Sequence, residues 1–104
     1  MNWNSSENTR LIQAVLKLET SDEARRFLRD LMTEKEIAEF AKRLRAAEML
    51  MVNIPYTSIE QKTGLSSTTI ARVSKWLNRK QGGYREIIAK LHHQDSILTG
   101  RGLS

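Results

Sequence analysis

Three cations, Arg72, Lys75 and Arg79, follow a run of four hydroxyl residues, Ser66, Ser67, Thr68 and Thr69. Together such side chains suit nucleic acid: short hydroxyls bond base edges, and long cations reach bases and phosphates. On a helix turning about 100° per residue, Thr68, Arg72, Lys75 and Arg79 fall within roughly 40° of the direction opposite Ile70. Ile70, Val73 and Leu77, spaced by three and then four, make the buried side. Ser66 is a good N-cap, so Ser67, Thr68 and Thr69 open the helix. That is the end a reading helix usually presents to bases, and its free amides favour phosphate. The chemistry expected is recognition of a polyanion, without bond making.

A surface helix of this kind must be held rigidly from behind. The window Tyr56–Arg79 has the parts of a helix-turn-helix over about 56–80. A short helix over 56–63 precedes a tight break at Gly64-Leu65-Ser66, and a longer helix follows over 67–80. Two helices crossing at about 90–120° through so short a turn need a left-handed residue, which glycine supplies. Leu65 can plug the corner, and Ile59 points inward from the first helix. Two positions depart from the usual pattern: Glu60 where a small residue eases the crossing, and Thr63 where an apolar residue is commoner. The plainer alternative is a helical hairpin with a solvated charged face.

Charge favours the first reading. Residues 1–52 hold nine Lys/Arg and nine Asp/Glu, while residues 53–104 hold eight against three and so carry the whole net charge of +5. Between Lys62 and Lys90 lie seven bases (Lys62, Arg72, Lys75, Arg79, Lys80, Arg85, Lys90) and a single acid, Glu86. A field confined to one half points to a polyanionic partner facing that half. Double-stranded DNA is the partner expected. A helical adaptor whose basic face binds an acidic protein is the alternative from another class. Single-stranded RNA fits less well, because the basic helix offers no stacking aromatic save Trp76.

The rest of the chain is all-α by its periodicity, and no strand alternation appears. Helices are expected over about 7–19 (Leu11, Ile12, Val15, Leu16, Leu18 on one face), from the capping box Thr20-Ser21-Asp22-Glu23 to about 32, and from the box Thr33-Glu34-Lys35-Glu36 to about Val52. Pro55 presets a new entry. Gln81-Gly82-Gly83 ends the reading helix with a left-handed glycine. A last helix covers about 84–93, with Ile87, Ile88 and Leu91 inward. Residues 1–93 form one domain of five to six short helices, and 94–104 read as a flexible tail.

Other functions lack their residues. With no cysteine there is no disulfide, thiolate zinc site or Cys nucleophile. His92-His93 has only Asp95 nearby, so no metal site is expected and a polar helix end is the ordinary reading. The hydroxyls at 66–69 have no neighbouring base, and Gly82-Gly83 is not followed by the Lys-Ser/Thr of a P-loop. Met49 and Met51 read as core or dimer-contact residues. No enzyme and no cofactor are expected. No run reaches the roughly 18 apolar residues that span a bilayer, and Met1–Ser5 has no signal-peptide pattern, so the expectation is a cytoplasmic protein without membrane contact.

From about Leu28 to Leu91 the sequence resembles the Trp repressor family, in its YerC/YecD-like branch. The segments that carry the resemblance are Leu31-Met32-Thr33-x-x-Glu36, Arg43-x-Arg45-x-x-Glu48-x-Leu50, Ile59-x-x-x-x-Gly64 and Thr69-Ile70-x-Arg72; the first 27 residues match only in being helical. The resemblance implies an intertwined homodimer whose two helix-turn-helix units enter successive major grooves, and a repressor that blocks by bound bulk. It also implies an effector pocket beside the reading helix. Thr33, Arg43 and Arg72 keep the family's residue types there. Val73 stands where the tryptophan-binding member has glycine, and Trp76 where it has serine. A valine and an indole fill that room, so the sequence speaks against tryptophan as corepressor. Trp76 then either braces the helix or joins the core, and Arg43 and Arg72 either contact phosphate or pair with Glu36 or Glu48.

Overall fold

A computed structural model describes the backbone of residues 1–103 and the side chains of residues 1–95. Six helices follow one another: α1 Ser6–Leu16, α2 Ser21–Leu31, α3 Glu34–Met51, α4 Tyr56–Thr63, α5 Ser67–Leu77 and α6 Tyr84–Leu103. Among the described residues there is no strand. The chain divides into two compact units, residues 1–37 and 38–104, with the boundary inside α3.

Caps explain where the helices of the first unit begin. The Asn8 N–H donates to Ser5 Oγ at the start of α1, and the Glu23 N–H to Thr20 Oγ1 at the start of α2. Thr33 and Glu36 form the expected reciprocal box: the Glu36 N–H donates to Thr33 Oγ1 (3.1 Å) and the Thr33 N–H to Glu36 Oε1 (2.9 Å). The Thr33 backbone N–H first, and the Thr33 hydroxyl after it, hold the Glu36 carboxyl below its ordinary value. At Thr20 the carboxylate of Glu23 instead takes the N–H of Glu19, one residue further back. α1 stops at Leu16, short of the expected 19, because the chain must become extended for Thr20 to cap α2. Neither α1 nor α2 contains a buried residue. Leu11, Ile12, Val15 and Leu16 are 40, 42, 45 and 77% exposed.

The second unit holds the core: Ala46, Ala47 and Met49 of α3, Ile59 of α4, Leu65, then Ile70, Val73 and Leu77 of α5 and Ile88 of α6. α3 ends in an αL turn at Asn53 (φ 62°), with the Asn53 N–H on Leu50 O and the Ile54 N–H on Met49 O. That pairing is a Schellman motif, and asparagine is the commonest substitute for its glycine. α6 runs to Leu103, ten residues past the end expected near 93. Nothing between Gln94 and Thr99 breaks a helix, and isolated glycines such as Gly100 and Gly102 are tolerated in one. Within the segment expected to be a tail, the side chains from 96 onward and the whole of Ser104 lie outside the described residues.

Candidate nucleic-acid interface

Pro55, in extended conformation, starts α4, and Gly64 closes it in the left-handed region at φ 76°, its N–H on Glu60 O at 2.8 Å. No atom lies within 4 Å of where a Cβ on Gly64 would stand. The requirement for glycine is therefore conformational, not steric. Leu65 is buried in the corner as expected. Thr63, polar at a commonly apolar position, is also buried; its hydroxyl donates to Ile59 O (2.7 Å) and accepts from the Leu65 N–H (3.2 Å). A buried hydroxyl so satisfied costs little and stiffens the turn. Arg45 of α3 adds a bond from Nη1 to Lys62 O (3.2 Å), tying the end of α4 back to the bundle.

On α5, Ile70, Val73 and Leu77 are buried, and Ser67, Thr68, Arg72 and Lys75 are exposed on the helix that carries them. Among the described residues neither Arg72 nor Lys75 makes an ion pair or a side-chain hydrogen bond, so both are available to an anion from outside. Ser66 caps the helix, taking the Thr69 N–H on its Oγ (3.2 Å) and donating to Thr69 Oγ1 (3.1 Å). The hydroxyls of Ser66 and half-buried Thr69 are thus engaged with each other, whereas those of Ser67 and Thr68 have no hydrogen-bond partner among the described residues.

Two expectations about the far end of α5 are corrected. The helix stops at Leu77, not 80, because Asn78 caps it: its N–H and its Nδ2 both donate to Ser74 O. Arg79 is therefore exposed but off the helix, and its place on the cationic stripe does not follow from helical spacing. Gly82 and Gly83 do not supply a left-handed cap either, since Gly64 is the glycine with positive φ among the described residues. Gly82 is instead a site of close approach: a Cβ there would stand 2.8 Å from the Trp76 carbonyl oxygen.

On one flank of α5, Trp76 is half-buried and meets two guanidinium groups, Arg43 of α3 at 5.8 Å from the ring centroid and Arg79 at 5.9 Å. Arg43 also lies over Phe40 at 5.4 Å. Its acidic neighbour is Glu39, with Nε 3.7 Å from Oε1, an ion-pair distance too long for a hydrogen bond. Arg43 Nε is the one buried side-chain nitrogen or oxygen without a hydrogen-bond partner among the described residues. Burial raises the Tyr84 phenol above its ordinary value, and the charge of Arg43 opposes that rise. The pairing offered for Arg43 with Glu36 or Glu48 gives way to Glu39, because i, i+4 spacing puts that carboxylate on the same face of α3. Glu48 meets His92 of α6, Oε2 to Nε2 at 3.0 Å. Among the described residues no three His, Asp or Glu side chains gather to hold a metal.

The family model for "Trp repressor protein" matches residues 6–92. The chain belongs to the Trp repressor family. It is 34% identical over 90 residues to YerC of Bacillus subtilis (strain 168), a protein of uncharacterised role, covering 86% of each chain. A solved TrpR-like protein from Eubacterium eligens superposes with a TM-score of 0.82 at 36% identity, over 86% of this chain and 93% of that one. A candidate Trp repressor from Staphylococcus aureus gives 0.78 at 32% identity, over 88% and 95%. Members of the Trp repressor family are DNA-binding regulators, not enzymes, and the all-α fold is theirs. The match begins at Ser6, well inside the N-terminal stretch expected to share only helicity.

Three of the residues expected at an effector pocket have separate surroundings within the second unit. Val73 is in the core, Arg72 faces outward with the reading stripe, and Arg43 meets Trp76. Thr33 lies in the first unit, engaged in its capping box. Arg45 and Asn53 were missed from sequence. Asn53, two residues before Pro55 at a helix end, carried a readable signal; the bond from Arg45 to Lys62 O spans 17 positions and carried none.

Proposed function

We propose that the chain is a sequence-specific double-stranded DNA-binding transcriptional regulator, a repressor acting as a homodimer in the cytoplasm, without tryptophan as corepressor. One observation carries the reading: α5 follows a left-handed glycine, buries Ile70, Val73 and Leu77, and exposes Thr68, Arg72 and Lys75 on the opposite side. Ser67 and Thr68 at its N-terminus suit base edges and phosphate, Arg72 and Lys75 suit bases and phosphates, and Arg79 extends the cationic surface beyond the helix. Ser66 and Thr69 shape the helix start by their mutual bonds, which leaves the Ser67 and Thr68 amides for phosphate. The homodimer is supported by the first unit, whose apolar α1 face is uncovered in the single chain. A helix with an exposed apolar stripe needs a partner surface. The absence of a tryptophan response is supported by the sequence, where Val73 and Trp76 stand at positions that are glycine and serine in the tryptophan-binding member of the family.

Selection of binding sites from a random duplex library tests the proposal. The expected product is a palindrome whose half-sites lie one helical turn apart, about 34–36 Å, bound equally with and without L-tryptophan. No enriched sequence would refute sequence-specific reading and favour an adaptor for an acidic protein. An asymmetric site would refute the dimer, and tighter binding with added L-tryptophan would refute corepressor independence.

A further inference from the structure

We propose that Arg43 is a positioning residue for the reading helix, acting through Trp76; the inference rests on the DNA-reading function proposed above. The inner face of α5 is held by aliphatic side chains, which pack well but discriminate weakly between small rotations of a helix. Among the described residues no hydrogen bond or salt bridge joins α3 to α5. The contact that joins them directionally is the Arg43 guanidinium over the Trp76 ring at 5.8 Å. Cation–π attraction favours a cation over the face of the ring, not its edge, so it resists turning of the indole and of the helix that bears it.

Arg43 is itself restrained. The Phe40 ring lies under it at 5.4 Å, and the Glu39 carboxylate holds its Nε side at 3.7 Å. Leaving that Nε buried without a hydrogen-bond partner is costly, and an aliphatic side chain would fill the same space without the cost. A guanidinium held there by two rings is an orienting device more than a filler. Arg79 also lies 5.9 Å from the same indole, so the turn after α5 is referred to the same ring. Reading base edges needs a helix held to a fraction of an ångström, whereas non-specific attraction to phosphate does not. Arg43 should therefore govern discrimination between sequences and leave general DNA affinity alone.

The test uses the full chain with Trp3→Phe, so that Trp76 is the sole indole, and compares Arg43→Met, Arg43→Lys and Trp76→Phe. Affinities are measured for the duplex selected above and for a random duplex of equal length, alongside thermal unfolding and indole emission. Arg43→Met should lose about 5- to 30-fold on the selected duplex and under about 2-fold on the random one, the range a partly desolvated cation–π contact commands. Its Trp76 emission should shift while the unfolding midpoint stays put. Arg43→Lys, which keeps the cation, and Trp76→Phe, which keeps a ring, should each recover part of the discrimination. Equal loss on both duplexes with a lowered midpoint would show that Arg43 merely stabilises the fold, and full retention on the selected duplex would overturn the inference alone. A parent protein preferring no duplex would overturn the DNA-reading proposal, and this inference with it.

Discussion

Replacing Arg72 and Lys75 together by alanine removes two exposed cations that no side chain of the described chain neutralises. Each Lys or Arg that neutralises a phosphate releases counterions, and contributes about 0.9 to the slope of log affinity against log salt on B-DNA. If both contact phosphate, the double variant loses about 1.8 of slope per protomer and about 3.6 per dimer. The folded state should hardly notice. Both side chains are exposed, alanine is the better helix former, and the favourable charge of Lys75 in the last turn of α5 is worth only a few tenths of a kcal/mol at an exposed site. Fluorescence anisotropy on a labelled duplex at four or five salt concentrations gives the slope, and circular dichroism checks the helices. Arg26→Ala is the control: it removes an exposed cation of α2 that is paired with Asp22, and should leave the slope unchanged. A double variant that stays helical with the parent's slope would refute the assignment of the binding face to α5.

Four further outcomes follow from the geometry. Ile70→Ala opens a void on the buried side of α5 and should cost about 2–5 kcal/mol, read from the urea midpoint; a cost below about 1 would mean the site collapses or is not core. Asn53→Gly should hold or raise stability by a few tenths of a kcal/mol while Asn53→Ala lowers it by about 1, because αL backbone penalises a Cβ that no polar side chain compensates. Gly82→Ala should destabilise despite ordinary φ, since its Cβ would meet the Trp76 carbonyl oxygen; an unchanged melting temperature would show that the turn yields freely. For Glu36 the folded-state value is depressed, so its contribution is complete above the ordinary carboxylate range and lost as pH falls through the lowered value. Thr33→Ala removes the hydroxyl but keeps the backbone N–H that is the larger cause, so it should bring the Glu36 titration part of the way back up in carboxyl-detected NMR, and the stability gap between the two proteins should narrow in acid.

The positions that sequence reading located well are those where local chemistry decides. Ser66, Gly64 and the Thr33–Glu36 box act within four residues of themselves, and α4 matches its expected bounds of 56–63. The alternation of buried Ile70, Val73 and Leu77 with exposed Thr68, Arg72 and Lys75 follows from the helical period. The end of α5 went astray because two signals competed. Glycines at 82 and 83 looked like a stop, but Asn78 reaches its cap first, by bonding Ser74 O with both its backbone and its side chain. Arg79 lost its assigned angle as a result. The partnership of Arg43 with Trp76 was invisible for a different reason: 33 positions separate them, and only the folded unit brings α3 and α5 close enough for the contact.

Where the chain buries its apolar residues bears on how it works. Among the described residues all nine buried hydrophobic side chains lie between Ala46 and Ile88, and α1 and α2 bury none. Yet α1 carries Leu11, Ile12, Val15 and Leu16 within six positions, too apolar a set to stand in water without a partner. The reading unit thus has its own core and can hold α5 without the first unit, whereas the first unit needs a second surface to cover its apolar side. On the function proposed above, that division gives pairing and reading to different parts of one chain. Substitutions on α1 such as Leu16→Glu should therefore weaken self-association, seen in sedimentation equilibrium, while leaving the urea midpoint of the second unit in place. DNA affinity would fall only through the lost second half-site. If Leu16→Glu left the association constant unchanged, α1 would not be the pairing surface.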